Sequence, residues 1–270
     1  MPTQLPRSRN GKAAEDVARI CLWEAGREVM SLYRADKQVE FKGRGNVLTE
    51  ADLASERVIL KILGVEYPDM LVLSEETAAT TKKDGWTWVA DPLDGSHNFS
   101  QGIPNFCLSI AMCEEGEPVL GLTFDPLRGE EFIAVKGQGL SVNGRSARTA
   151  MTSDLQSSIL GVDFGYDDRR AAHMISLLAD IWPGVQAVRI VGSAALGLAY
   201  AACGRYDLFV HQYLFPWDIA AGIVLVREGG GNIVGRDGDA IALNSEGVVA
   251  GAPAVVEDFL RASQGKAWKD

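Results

Sequence analysis

Three groups of acidic residues lie where chemistry can be done. Glu75 and Glu76 follow the short apolar run Met70 to Ser74. Asp91 and Asp94 fall within the stretch Trp88 to Phe99, again just after an apolar run, and Asp218 lies in the stretch Pro216 to Gly222. Carboxylates are hard oxygen donors and suit Mg²⁺ or Ca²⁺ better than a soft metal. The Asp91/Asp94 stretch is not an EF-hand, because it lacks alternating ligands and the closing Glu. Gly95 and Ser96 follow Asp94 directly. A helix opening there would present backbone N–H groups beside the carboxylates, which is an anion site. Cation ligands next to anion-binding amides describe a seat for a phosphate. Each group also has a plainer reading. Asp91-Pro92-Leu93-Asp94-Gly95 makes a good turn by itself. A Glu pair is ordinarily solvated surface, and Asp218 suits a helix N-terminus electrostatically. The chemical reading draws its strength from the combination.

The chain has 270 residues, 47% hydrophobic and 23% charged, which indicates a folded globule with a sizeable core. With 26 Lys+Arg against 36 Asp+Glu, the formal net charge is −10. That argues against a nucleic-acid polymer or an anionic membrane as partner. It leaves room for a small phosphorylated ligand, since a bound cation reverses the local sign. No apolar run reaches the roughly 18 residues of a membrane span. Met1 to Lys12 is polar and basic without the apolar core of a signal peptide, so a cytoplasmic protein is expected. Cys21, Cys107, Cys113 and Cys203 form no CxxC pair and have apolar flanks, so buried free thiols are expected. His97, His173 and His211 lack zinc-site spacing. The glycines form neither G-x-G-x-x-G nor a Walker sequence.

The elements that must position these groups can be read from periodicity. Apolar residues from Ala14 to Leu32 recur at helical spacing, predicting a helix over Ala13 to Tyr33. A Gly-containing loop, Phe41 to Leu48, follows. Thr49 can cap a second helix, with Asp52 in capping-box position. Met70–Ser74, Trp86–Ala90, Phe106–Cys113, Pro118–Phe124, Glu131–Val135 and Leu140–Val142 read as strands of a largely antiparallel meander. The rhythm then alternates. Strands are predicted at Ile159–Phe164, Val188–Val191, Tyr206–Val210, Gly231–Val234 and Val248–Ala250. Helices are predicted at Arg169–Ile181, Ala194–Cys203, Trp217–Glu228 and Pro253–Ser263. The expectation is an α+β half over residues 1–148 and an α/β half over residues 149–270, tightly packed. The polar segment Ala78 to Gly85 reads as a loop on the substrate side.

Taken together the motifs resemble those of the inositol monophosphatase family, within the Mg²⁺-dependent, Li⁺-sensitive phosphatases. Asp91-Pro92-Leu93-Asp94-Gly95-Ser96 fits the first family signature, and Trp217-Asp218-Ile219-Ala220-Ala221-Gly222 the second. Glu75-Glu76 occupies the family's Glu-Glu position. Lys42, Thr49 and Asp52 match an upstream segment, and the hairpin Gly137 to Gly144 and Gly192-Ser193-Ala194-Ala195 also fit. The resemblance implies a layered αβαβα sandwich of the sugar-phosphatase type, commonly a homodimer. It implies two or three Mg²⁺ ions. Glu76, Asp91 and the Leu93 carbonyl would hold the first ion and Asp91, Asp94 and Asp218 the second, with Glu76 shared by a third. Gly95 and Ser96 would bind phosphate. Ser96 and Glu76 would orient a water, supported by Thr49 and Asp52. Asp94, Ala194 and His211 stand where the family contacts substrate.

The implied activity is hydrolysis of a small phosphomonoester, with inositol-1-phosphate as first candidate. Histidinol phosphate, fructose-1,6-bisphosphate and 3′-phosphoadenosine 5′-phosphate are the alternatives. The family's inositol-specific members carry a Glu seven residues before the second-signature Asp; here that position is His211, followed by Gln212. Ser74 replaces a Gly before the Glu pair, and Ser96 a Thr. A metal- and phosphate-binding protein without turnover is the reading from a different class. It is disfavoured because every expected ligand is present.

Overall fold

The computed structural model describes residues 4–34, 39–41, 47–77 and 85–269. Lys42 and most of the segment from Ala78 to Gly85 lie outside the described residues.

Helix α1 (Ala14–Leu32) and helix α2 (Glu50–Glu66) form the first layer. Their apolar stripes, including Val17, Cys21 and Val29 on α1 and Ala51, Ile59 and Leu63 on α2, are buried in one cluster. Thr49 caps α2 with the expected capping box to Asp52. Before α2, β1 (Val39–Phe41) pairs antiparallel with β2 (Val47–Thr49). The sequence predicts loop over most of this stretch, from Phe41 to Leu48.

Seven strands form the first sheet, in the order in which they occur along the chain. They are β3 (Leu71–Ser74), β4 (Trp86–Asp94), β5 (Cys107–Glu114), β6 (Glu117–Asp125), β7 (Glu130–Val135), β8 (Gly139–Val142) and β9 (Arg145–Ala147). β3 runs parallel to β4 and the rest is an antiparallel meander. Helix α3 (Ser96–Gln101) interrupts it after β4. Period-two alternation divides the strands cleanly. Trp88 and Ala90 join the α1/α2 core, whereas Leu73 and Val89 pack with Ala220 and Ala221 on the other face.

The second sheet holds β10 (Ile159–Asp163), β11 (Ala187–Ile190), β12 (Leu208–His211), β13 (Asn232–Val234) and β14 (Val248–Gly251), in the order β11-β10-β12-β14-β13. β10 is parallel to both β11 and β12, and β14 is antiparallel to β12 and β13. Helices α4 (Asp168–Ile181), α5 (Ala194–Ala202), α6 (Pro216–Glu228) and α7 (Pro253–Ala262) complete the regular helices, and a 3₁₀ turn spans Ala267–Lys269.

Three cores define the layers. α1 and α2 cover the outer face of the first sheet. α5 and α6 share a core with Phe132, Ala134 and Leu140 of the first sheet and with Phe209, Val248 and Ala250 of the second. Met174 and Leu177 of α4 and Val255 and Phe259 of α7 pack on Leu160, Val162 and Val210. The result is the five-layer αβαβα sandwich that the resemblance implies. α5 and α6 are apolar nearly all round because they are sheathed by a sheet on each side.

Candidate active site

β3 and β4 end at the same edge of the first sheet, since Ser74 pairs with Ala90. Beyond that edge β4 carries Asp91, still buried, and continues irregularly to Asp94. The sequence allows a plain turn here; the structure shows a strand bent within Asp91–Asp94, followed by α3. The Leu93 N–H donates to Asp91 Oδ1 at 3.0 Å, which fixes the bend. Gly95 caps α3 with φ 89°, and a Cβ there would lie 2.9 Å from the Asn105 carbonyl. Only glycine suits that position.

Asp94 reaches across to the second half. Its Oδ2 accepts from Ser193 Oγ at 2.6 Å and from the Ala195 N–H at 2.7 Å, so it caps the start of α5. Asp218 lies in the first turn of α6, and its Oδ2 accepts from the Phe215 N–H at 2.7 Å. One oxygen of each of these three carboxylates is thus held by the frame. Ligand atoms of Asp91, Asp94 and Asp218 lie within 4.8 Å of one another.

Burial raises the pKa of all three. Asp91 is pushed well up by desolvation first and by the charges of Glu75, Asp94 and Asp218 next. For Asp218, desolvation leads and Asp94 and Glu75 add to it. In Asp94 the same burial is opposed by the bonds from Ser193 and Ala195. No Lys or Arg lines the adjoining cavity among the described residues. A converging set of hard oxygen donors, disfavoured as bare charges, fits a divalent cation such as Mg²⁺.

Of the Glu pair, Glu75 is the one whose charge raises Asp91 and Asp218, whereas the resemblance was applied to Glu76. Leu73 and Val89 face Ala220 and Ala221 of α6. β3 ends at Ser74, paired with Ala90, and Glu75 opens the turn that follows, at the edge from which Asp91 issues.

The supporting residues meet as expected. Thr49 donates to Asp52 Oδ2 through its N–H at 2.7 Å and through its hydroxyl at 2.5 Å. Ser96 Oγ donates to Asp52 Oδ1 and lies 2.8 Å from the Leu93 carbonyl. Ser55 Oγ donates to the Pro92 carbonyl at 2.6 Å, tying α2 to the bend.

A cavity of about 370 Å³ opens beside the cluster. Asp94, Gly95, Ala194, His211 and Asp218 line it, and so does His97. His211 is buried, its Nδ1 accepts from the Tyr213 N–H at 3.1 Å, and desolvation lowers its pKa to about 3. Sequence reasoning did not single out Ser193 or Asp163. Ser193 lies inside a quoted motif and bonds Asp94. Asp163 lines the cavity, and burial pushes its pKa up to about 7.

The sequence profile of the inositol monophosphatase family matches residues 13–268. A Nus factor SuhB of Pasteurella multocida is 36% identical over 233 residues, 86% of this chain and 87% of that protein. An inositol monophosphatase of Dictyostelium discoideum is 36% identical over 256 residues, 91% of each chain. The solved structure of extragenic suppressor protein suhB from Bartonella henselae superposes with a TM-score of 0.89 at 31% identity, covering 94% of this chain and 99% of its own. Family profile, relatives and architecture agree, so the chain is a phosphomonoester hydrolase and belongs to the inositol monophosphatase family.

Proposed function

We propose that this chain is a Mg²⁺-dependent phosphatase of the cytoplasm that hydrolyses a small phosphomonoester, with inositol-1-phosphate as first candidate substrate and a homodimer as its form. The convergence of Asp91, Asp94 and Asp218, each with one oxygen fixed by the frame, carries this reading. The inositol candidate rests on relatives that bear that name, such as the Dictyostelium protein.

Asp91, Asp94 and Asp218 would hold the cation, with Glu75 as the fourth carboxylate and the Leu93 carbonyl beside them. A bound divalent cation supplies Lewis-acid stabilisation and makes a water more acidic. The remaining work falls to the chain. Ser96 donates its proton to Asp52, so its oxygen lone pairs are available to accept from a water. Thr49 holds Asp52 in place through two bonds. The first amides of a helix have no partner within it, and those of Gly95 and Ser96 would take phosphate oxygens. Ala194 and His211 would contact the alcohol. No side-chain nucleophile is required.

The test is phosphate release with and without Mg²⁺. Asp91→Asn and Asp218→Asn should each abolish it while the protein stays folded by circular dichroism. Retained Mg²⁺-dependent release in either variant overturns the metal assignment. A screen of the four candidate esters then ranks substrates, and a dominant rate on histidinol phosphate would displace the inositol reading.

A further inference from the structure

The second sheet contributes two side chains to the cavity that the carboxylate cluster does not use. β10 and β12 are parallel neighbours, and their last residues, Asp163 and His211, are register partners. Both therefore project from one face of the sheet. The chain leaves β10 through α4 to β11 on one side, then passes through α5 to β12 on the other. That reversal is a topological switch point, and ligands of such sheets settle outside the carboxyl ends of the strands there. Asp163 and His211 stand at those ends and line the cavity.

Their hydrogen-bonding capacities are complementary. Asp163 is only 5% exposed. Its Oδ1 accepts from the N–H groups of Val191 and Gly192 at 3.0 and 2.6 Å. Its Oδ2 is buried and has no partner among the described residues. Leaving a buried carboxylate oxygen without a donor is costly, so a native site has a reason for it. His211 has the opposite sense. With Nδ1 accepting from Tyr213 and the ring neutral, its proton sits on Nε2, which is a donor. An alcohol hydroxyl both gives and takes a hydrogen bond. A second phosphate dianion brings no proton for Asp163 and adds like charge.

We infer that Asp163 is a specificity-determining residue that accepts a hydrogen bond from a hydroxyl on the alcohol part of the substrate, beside the donor His211. The inference deepens the proposed phosphatase activity and rests on it. It places bisphosphates outside the range of substrates that this contact favours.

The test compares two esters on the same six-carbon ring, myo-inositol-1-phosphate and cyclohexyl phosphate, with Mg²⁺ at pH 8. The intact enzyme should favour the hydroxylated ester by roughly a hundredfold in kcat/KM. Asp163→Asn keeps an oxygen for Val191 and Gly192 but replaces the free acceptor with a donor. It should lower the preference roughly tenfold or more, chiefly by raising KM for the inositol ester. Asp163→Glu, which keeps the charge and displaces it, should move the preference the same way and serves if the Asn variant does not fold. Equal kcat/KM for the two esters in the intact enzyme overturns the inference and leaves the phosphatase reading standing. So does a variant that loses the same factor on both, since Asp163 would then only brace the 191–192 backbone. Failure to release phosphate from either ester overturns both readings.

Discussion

Asp163 makes a demand on stability that can be measured. Desolvation is the largest cause that lifts its pKa from 3.8 to about 7, against the opposing backbone bonds from Gly192, Val191 and Ser193. Its folded-state pKa thus lies above its unfolded one, so the folded state binds the proton more tightly. Stability then falls as pH rises from about 4 through about 7. Once the group is ionised, the penalty reaches about 4 kcal/mol. Asp163→Asn removes that titration and keeps the shape. At pH 8 the metal-free variant should be more stable than the parent by up to about 4 kcal/mol, an upper bound because a relaxing site recovers part of it. That corresponds to a melting midpoint higher by on the order of 10 °C. The difference should shrink on acidification and vanish near pH 4. Melting by circular dichroism in EDTA at pH 4, 6 and 8 measures it. A variant no more stable than the parent at pH 8 would refute the reasoning, because the backbone bonds would then suffice to hold the ionised form. Greater stability combined with lost substrate preference would mark Asp163 as a residue kept for function at the expense of the fold.

Two further outcomes are expected. Glu75→Gln should lower Mg²⁺-dependent phosphate release at least tenfold more than Glu76→Gln, measured side by side; the reverse order would return the fourth carboxylate to Glu76. Mg²⁺ should raise the melting midpoint most at pH 8, and the gain should shrink as pH falls, because Asp91, Asp94 and Asp218 have raised pKa values and take up protons in place of the cation. A gain that grows on acidification would rule this out.

Much of the fold was legible from pattern. The predicted first helix, Ala13 to Tyr33, differs from α1 by one residue at each end, because a nineteen-residue amphipathic stripe leaves little freedom. The Thr49/Asp52 capping box is local chemistry and survives into the structure. The β1–β2 pair and β9 did not show although the equally short β13 did: Arg145–Ala147 has no apolar run, and Val39–Phe41 and Val47–Thr49 border a stretch that reads as a Gly-containing loop. The final 3₁₀ turn was also missed; it is held by tertiary packing, with Trp268 fully buried against Phe259. At the site, the signatures named Asp91, Asp94 and Asp218, which do converge. The choice between Glu75 and Glu76 was not open to alternation, because both lie in the turn after β3. Asp163 carries no local signal. Its importance comes from pairing with His211 across forty-eight residues of sequence, and only the sheet order reveals that.

Asp94 issues from the first sheet yet caps a helix of the middle layer, while Asp218 opens the neighbouring helix of that same layer. The cluster is therefore not owned by either sheet. A partly folded chain in which the meander has formed but α5 and α6 have not docked would hold Asp91 and Asp94 without their third partner. It would also leave Asp94 uncapped. On the proposed reading, turnover would be a report of assembly: a nascent or unravelling molecule would stay silent as a hydrolase until both sheets had closed on the shared helices.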